Sequence, residues 1–396
     1  MSKKMNISAK FVLSLFLFFI LGKTLNAQKL SDSSEVYALV ISPGTELYAA
    51  FGHNAFWVVD NINGVNMIFH YGTFDYRTPN FYLKFIRGKL DYMLATQEYK
   101  YFMYEYSTDG RDVWKLKLNL NQQQKQKMFD FLLWQNQEAN KYYRYDFFMD
   151  NCATRLRYVL EVVFGDSVVF PNQPLNISYR QAIKPYLRNK PWTRFGINLL
   201  LGLPADRRLN YYSAMFLPYY IDTALVNTTI NTGKSIEPLV LQHSTMIVSN
   251  FEIGKMPLFN PDLFFWLLAI LLIIPAFWQI KLTKLNKYID ISIFSILFFA
   301  SILILFMWFI TDHTPTKWNL NILWVNPLLI FYIIELIKNN NKKTLKLYSL
   351  SFSIISFVLV ASYPIFAQQF DTATIPILLM LGFRSFFKYR FLKKSL

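Results

Sequence analysis

Asp150-Asn151-Cys152-Ala153-Thr154-Arg155 opens a stretch in which Leu156, Val159, Leu160 and Val163 recur at helical spacing. The spacing predicts a helix over 153–164, with Asp150 or Asn151 as its N-cap. Cys152 then lies in the first turn, where the helix dipole favours a thiolate. It is the only cysteine in the chain, so no intrachain disulfide can form. Upstream, Phe51-Gly52-His53-Asn54 stands at the head of a predicted strand. A cysteine opening a helix and a histidine on a strand are the raw material of a thiol nucleophile. The competing reading is a buried structural cysteine, since free cysteine behaves as a small hydrophobe.

The chain has four histidines, His53, His70, His243 and His313. His53 and His70 flank Asn63-Gly64, a signal for a two-residue hairpin turn between strands over 55–60 and 65–71. Such a turn pairs odd positions with even ones, so both imidazoles fall on one face and Asn54 on the other. That face offers a general base and a second imidazole to orient it, the logic of a triad. For His70 the alternative is an ordinary half-buried strand histidine. One cysteine and two strand histidines lack a fourth ligand at any recognisable spacing, so no zinc site is read, and no cofactor is called for.

Other polar residues around these motifs are candidate substrate contacts. Asn151 adjoins the cysteine. Tyr143, Tyr145 and Asp146 lead into it and can line a pocket, with plain aromatic packing as the alternative. Arg155 and Arg157 offer cations for an anionic headgroup, or a solvated helix face. Asp206 reads as a helix cap. His313, with Lys317, falls in a polar link close to a membrane surface.

The apolar residues, 53% of the chain, are unevenly placed. Residues 1–27 hold four lysines, no acids, an apolar run over 11–21 and Leu25-Asn26-Ala27 before Gln28. That is the pattern of a secretory signal peptide, with an uncleaved anchor as the alternative. Residues 28–258 carry 24 basic and 20 acidic residues, a balance with no nucleic-acid footprint. They read as an exported domain with further strands over 35–42 and 113–118, an amphipathic helix over 121–135, and helical pieces with loops over 170–251. From 259 to 396 five apolar runs follow, at 262–280, 289–310, 320–337, 347–366 and 373–387. The links and tail on one side carry twelve lysines and arginines; the opposite links, 311–319 and 367–372, carry only Lys317. By the positive-inside rule this predicts a multi-pass membrane protein with an external N-terminal domain and a cytoplasmic C-terminus.

The order of histidine on a strand followed by cysteine opening a helix resembles circularly permuted papain-like proteins, including permuted NlpC/P60 enzymes and lecithin–retinol acyltransferases. A wider set of motifs covers most of the chain: Pro43-Gly44-Thr45-Glu46-Leu47-Tyr48, Phe51-Gly52-His53-Asn54, Tyr71-Gly72-Thr73-Phe74-Asp75, Asp150-Asn151-Cys152-Ala153-Thr154-Arg155, Leu201-Gly202-Leu203-Pro204-Ala205-Asp206 and Asp312-His313. These look like the Lnb-type family of Bacteroidota, linked to lipoprotein N-acylation. The resemblance implies an α+β fold, a permuted papain-like (NlpC/P60-like) periplasmic domain followed by an α-helical transmembrane bundle. It implies a thiol acyltransferase with Cys152 as nucleophile and His53 as base. His70 matches the second histidine of the lecithin–retinol acyltransferase pattern at a longer spacing. The implied partners are a membrane phospholipid as acyl donor and lipid-modified lipoproteins as acceptors. Two other functions use the same features: a cysteine amidase or peptidase acting on cell-wall peptides, and a non-catalytic membrane-bound scaffold.

Overall fold

The structure is a computed structural model that describes residues 28–279, 283–338 and 341–394. The segment read as a signal peptide lies outside the described residues. Seven strands build the central sheet: β1 (Glu35–Ile41), β2 (His53–Asp60), β3 (Val65–Thr73), β4 (Asp91–Glu98), β5 (Val113–Leu118), β6 (Tyr142–Arg144) and β7 (Val240–Ile247). Their order is β7-β5-β1-β2-β3-β4-β6, and every pairing is antiparallel. Helices α1 (Phe81–Ile86), α2 (Tyr99–Thr108), α3 (Gln122–Gln135) and α4 (Cys152–Phe164) accompany it.

Both faces of the sheet are covered, which explains why its central strands read as near-continuous apolar runs. Val36, Ala38 and Val40 of β1, with Phe56, Val58, Phe69 and Tyr71, meet α3 and α4 through Met128, Phe129, Leu156, Val159 and Leu160. Tyr37, Leu39 and Ile41, with Ala55, Trp57 and Ile68, meet α2 through Phe102 and Tyr106. Each fully buried valine, leucine, isoleucine or phenylalanine among these contributes about 1.5–3 kcal/mol relative to exposure.

The hairpin differs from its expected form. β2 ends at Asp60, which pairs with Val65, so the loop is the four residues 61–64 rather than two. The Asp60 carboxylate accepts the amides of Ile62 (3.1 Å) and Asn63 (3.4 Å), closing the longer turn. Two extra residues shift the register but preserve parity: Ala55 pairs with His70, where a two-residue turn would pair it with Gly72, and both histidines stay on one face. The region expected to be helical pieces and loops also supplies an edge strand of the main sheet, β7. The alternation of β4 and the helix α2, both unread in the sequence, complete the half of the sheet beyond β3.

Before β7 the chain forms α5 (Pro191–Leu200), which packs against the helical C-terminal region: α6 (Pro261–Phe277), α7 (Thr283–Phe309), α8 (Leu329–Lys338), α9 (Lys342–Ser362) and α10 (Thr374–Lys394). Two stretches, Thr283–Phe309 and Lys342–Ile365, are long and apolar enough to cross a membrane. α6 is apolar but only 17 residues long. The apolar run over 320–337 is not one helix: a turn at Leu320–Leu323 and Pro327 interrupt it, leaving the ten residues of α8. α6, α7 and α10 are tied by a buried pair in which Arg384 donates to Asp290 (2.8 and 2.6 Å).

The two regions interlock through polar side chains. Arg194 of α5 pairs with Asp371 (3.1 Å) and Asp262 (3.0 Å), and Asn198 donates to Asp371 (2.8 Å). Arg180 forks onto Asp206 with both bonds at 2.9 Å, and Asp206 also accepts the amide of Gln369 (3.2 Å). Asp206 is thus the buried partner of an arginine rather than a helix cap. Gly202 lets the chain lie directly on the backbone of Lys317, where any Cβ would overlap the carbonyl.

Candidate active site

Asn151 caps α4: its side-chain oxygen accepts the amides of Ala153 (2.9 Å) and Thr154 (3.0 Å), while Thr154 Oγ1 accepts the Asn151 amide (2.7 Å). Asn151 Nδ2 donates to the carbonyls of Phe147 and Phe216, both at 2.8 Å. Every polar atom of Asn151 is therefore spent on seating the first turn of α4, and its expected part in substrate contact reduces to positioning Cys152.

Cys152 is half-buried at the rim of the main core. Its sulfur faces the backbone N–H groups of Asn54, Ala153 and Cys152 itself. These donors, and the charge of Arg111, favour the thiolate; burial outweighs them and pushes the thiol up to about 11. The sulfur sits where β2 and β3 part. The pairing of β3 with β4 shifts between His70 and Thr73, and a Cβ on Gly72 would lie 3.5 Å from Cys152 Cβ.

β2 brings His53 to the same end of the sheet. Gly52 makes this entry possible: its φ is +87°, and a Cβ there would meet the Ile41 carbonyl at 2.7 Å. His53 Nε2 lies 3.4 Å from His70 Nδ1, with the rings edge to face. His70 is held in turn against Phe102 of α2, and His53 stacks on Tyr106. Burial lowers both imidazoles, His70 to about 4; His70 and Arg111 lower His53 further. The resting pair is therefore neutral. Among the described residues no hydrogen bond engages His53 Nδ1, and none joins either imidazole to Cys152. The histidines belong to the face covered by α2 and the helix bearing Cys152 to the opposite face; they converge only at the sheet's end, through the shared residues 53 and 54.

Arg111 was not among the residues singled out from the sequence. It follows α2, donates from Nε to the Ser42 carbonyl (2.8 Å) and lies over the Tyr106 ring at 4.8 Å. It is 5% exposed, and its Nη2 is buried without a partner. Asn54 Oδ1 and the Tyr143 hydroxyl are likewise buried and unpartnered. Unsatisfied buried polar atoms are costly, and these three belong to residues that act on the sulfur: Asn54 through its backbone amide, Arg111 and Tyr143 electrostatically. The only sequence sign of Arg111 was an arginine in Asp109-Gly110-Arg111-Asp112 just ahead of a strand, a pattern indistinguishable from a solvated turn.

The remaining expected residues divide. Tyr145 stacks on Tyr92 (4.3 Å between rings), and burial together with the nearby Cys152 holds its phenol well above the ordinary value. Arg155 is tied to Asp150 and covers the Tyr143 ring at 4.1 Å. Arg157 donates to the Tyr212 carbonyl (2.8 Å) and covers that ring. Both arginines are engaged by these partners and only partly exposed. His313 Nε2 donates to the Ile86 carbonyl (3.0 Å), while Thr314 donates to Asp146 in the turn before Cys152. Among the described residues no cluster of His, Cys, Asp and Glu could hold a metal ion.

Residues 23–183 match the family model for the Lnb N-terminal periplasmic domain, and residues 252–395 match that for the Lnb transmembrane domain. No curated protein and no solved structure matches the chain.

Proposed function

Since the chain belongs to the Lnb family, a membrane protein with a periplasmic N-terminal domain and a transmembrane region, we propose that it is a lipoprotein N-acyltransferase working through a Cys152 thioester. The observation that carries this reading is the seat of the sulfur. Cys152 opens a helix, faces three backbone amides, and lies beside a strand whose first residue is an imidazole backed by a second one. His53 Nε2 is turned to His70, which leaves Nδ1 as the atom able to take a proton from the thiol.

In the first half-reaction the thiol proton passes to His53 and the sulfur attacks an ester carbonyl of a phospholipid. The tetrahedral oxyanion is held by the Cys152 amide, with the unpartnered Nη2 of Arg111, whose charge acts on the sulfur, as a further donor. The C–O bond breaks, and the lysophospholipid leaves with the proton from His53. In the second half-reaction the free N-terminal amine of a diacylglyceryl-modified cysteine attacks the thioester. His53 takes the amine proton, the C–S bond breaks, and proton return restores the thiol. Two neutral imidazoles suit this cycle, since neither step needs a charged base at rest.

Contacts support a membrane placement. The links 311–319 and 363–372 both meet the N-terminal domain, through Asp312–Arg87, Gln368–Leu201 and Arg194–Asp371. A periplasmic assignment of both links agrees with the lysine-rich links being cytoplasmic. We propose five crossings and a cytoplasmic C-terminus on that basis, and a permuted papain-like core for the periplasmic domain from the order of His53 and Cys152.

The test is intact-mass analysis of the full chain after incubation with defined phospholipids. An acyl-sized gain on wild type, absent in Cys152→Ser and removed by neutral hydroxylamine, is the expected result. A reactive thiol that never carries an acyl group, with cleavage of cell-wall peptides instead, would replace this reading with a cysteine amidase.

A further inference from the structure

The six residues of α1, Phe81-Tyr82-Leu83-Lys84-Phe85-Ile86, turn only Phe81 inward, onto Phe74 and Tyr76 (ring centroids 5.6 and 5.0 Å). Tyr82, Leu83, Phe85 and Ile86 are 76, 55, 49 and 49% exposed, and Tyr76 beside them is 69% exposed. Four large apolar side chains on six residues, none covered by the protein, form a patch that a water-soluble surface does not keep without use.

The position of the patch identifies what covers it. The link that follows α7 is bound to the C-terminal end of α1. His313 donates to the Ile86 carbonyl (3.0 Å), the Asp312 amide to the Arg87 carbonyl (2.9 Å), and Lys89 faces Asp312 (4.0 Å). Phe309 ends α7, and four residue-to-residue steps, at most about 14 Å, separate it from His313. The interfacial layer of a leaflet is itself several ångströms deep, so α1 lies at the level of the headgroups. Trp308 and Trp318 pack together at this level (5.5 Å), with Trp318 65% exposed, as in an aromatic belt. Lys84 and Arg87 flank the patch, and Arg87 Nε is buried without a partner.

We infer that α1 and Tyr76 form a second membrane contact, a short amphipathic wedge that inserts its apolar side chains into the outer leaflet and sets Lys84 and Arg87 against anionic headgroups. The occupant is lipid rather than protein, because the patch is continuous with the end of a membrane helix and ringed by cations. The wedge also leads inward. Phe74 joins Phe81 to Tyr92 (5.2 Å), Tyr92 stacks on Tyr145, and Tyr145 borders the same core rim as Cys152. An aromatic path thus runs from the leaflet to the sulfur. The wedge itself does not depend on what chemistry Cys152 performs.

The test uses full-length Cys152→Ser, which has no other thiol, with a single cysteine placed by Leu83→Cys or, as a control in the distal hairpin loop, Ile62→Cys. Each is labelled with an environment-sensitive fluorophore and held at one protein per nanodisc containing anionic lipid. The expected result is a blue shift at position 83, quenching there by nitroxides placed just below the headgroup, and protection from iodide. Position 62 should show the reverse. Lys84→Glu with Arg87→Glu should reduce the shift at 83 selectively in anionic nanodiscs. Equal iodide quenching at both positions overturns the inference. So does a label at 83 that is blind to lipid nitroxides and shielded only when several copies share a vesicle, since a second copy would then be the occupant.

Discussion

Two buried polar clusters hold this molecule together and differ in one respect. At the junction between the domains, Arg180 pairs with Asp206 and Arg194 with Asp262 and Asp371, Asn198 donates to Asp371, and Gln368 and Asn319 satisfy the carbonyls of Leu201 and Leu199. Around Cys152, by contrast, Arg111 Nη2, Asn54 Oδ1 and the Tyr143 hydroxyl have no partner, and His53 offers an unused nitrogen. Burial is similar at the two sites; completeness is not. A saturated network supports structure, whereas an incomplete one keeps capacity for a reacting molecule.

The comparison breaks if the incomplete cluster proves to be structural. Cys152→Ala should therefore have the largest effect on function and a small one on stability. Acyl transfer should fall by on the order of 10⁴-fold or more. Unfolding should shift by only about 1 kcal/mol. A variant that transfers normally, or that fails to fold, would place Cys152 with the junction instead. At the junction the signs reverse. Arg180→Ala leaves Asp206 buried and uncompensated, and should destabilise by about 3–5 kcal/mol. This is measured as the denaturation midpoint in a fixed detergent; a change below 1 kcal/mol would show that water already solvates Asp206.

Arg111 sharpens the contrast, because it belongs to both kinds of site. Its Nε holds the Ser42 carbonyl, as a structural arginine would, and its Nη2 is free. Arg111→Met keeps most of the packing on Tyr106 and removes the charge. Transfer should fall about 10²–10³-fold. Thiol alkylation should shift to higher pH, since the cation that favours the thiolate is gone. An unchanged alkylation profile would separate Arg111 from the sulfur.

The sequence made local geometry legible and left long-range convergence obscure. The cap at Asn151, the face of α4 and the shared face of His53 and His70 follow from periods of 3.6 and 2 that tertiary packing did not overrule. The four-residue hairpin loop escaped because Asn63-Gly64 reads as a tight turn whatever precedes it, and only the Asp60 carboxylate closes the longer one. β7 escaped because its half-exposed edge carries Gln242, His243, Ser244 and Thr245, too polar to read as a strand. Arg111, the tying of Arg155 to Asp150 and the docking of His313 on α1 depend on residues far apart in the chain, where spacing carries no information. The same holds for the break between Leu320 and Leu329, since hydropathy averages over a turn that Pro327 enforces.

The smallest expected effects are in pH dependence, where the incomplete cluster should act against stability at both ends. His70 titrates at about 4 in the fold against an ordinary 6.5, and His53 is lowered too. Between those values the unfolded chain binds more protons than the folded one, so stability falls as pH drops through that window. For Cys152 the shift is upward, from 9.0 to about 11, so the folded chain keeps a proton the unfolded chain loses, and stability falls as pH rises there. His70→Gln should flatten the acid limb and Cys152→Ala the alkaline one, while Arg180→Ala lowers stability across the whole range. Iodoacetamide labelling of wild type reads the same chemistry in the native state. Its rate should keep climbing through the alkaline range, because burial outweighs the amides and Arg111 until substrate arrives. A rate already level at neutral pH would mean a preformed thiolate–imidazolium pair. In that case substrate binding would not be what completes the site, and the unpartnered atoms around the sulfur would need another explanation.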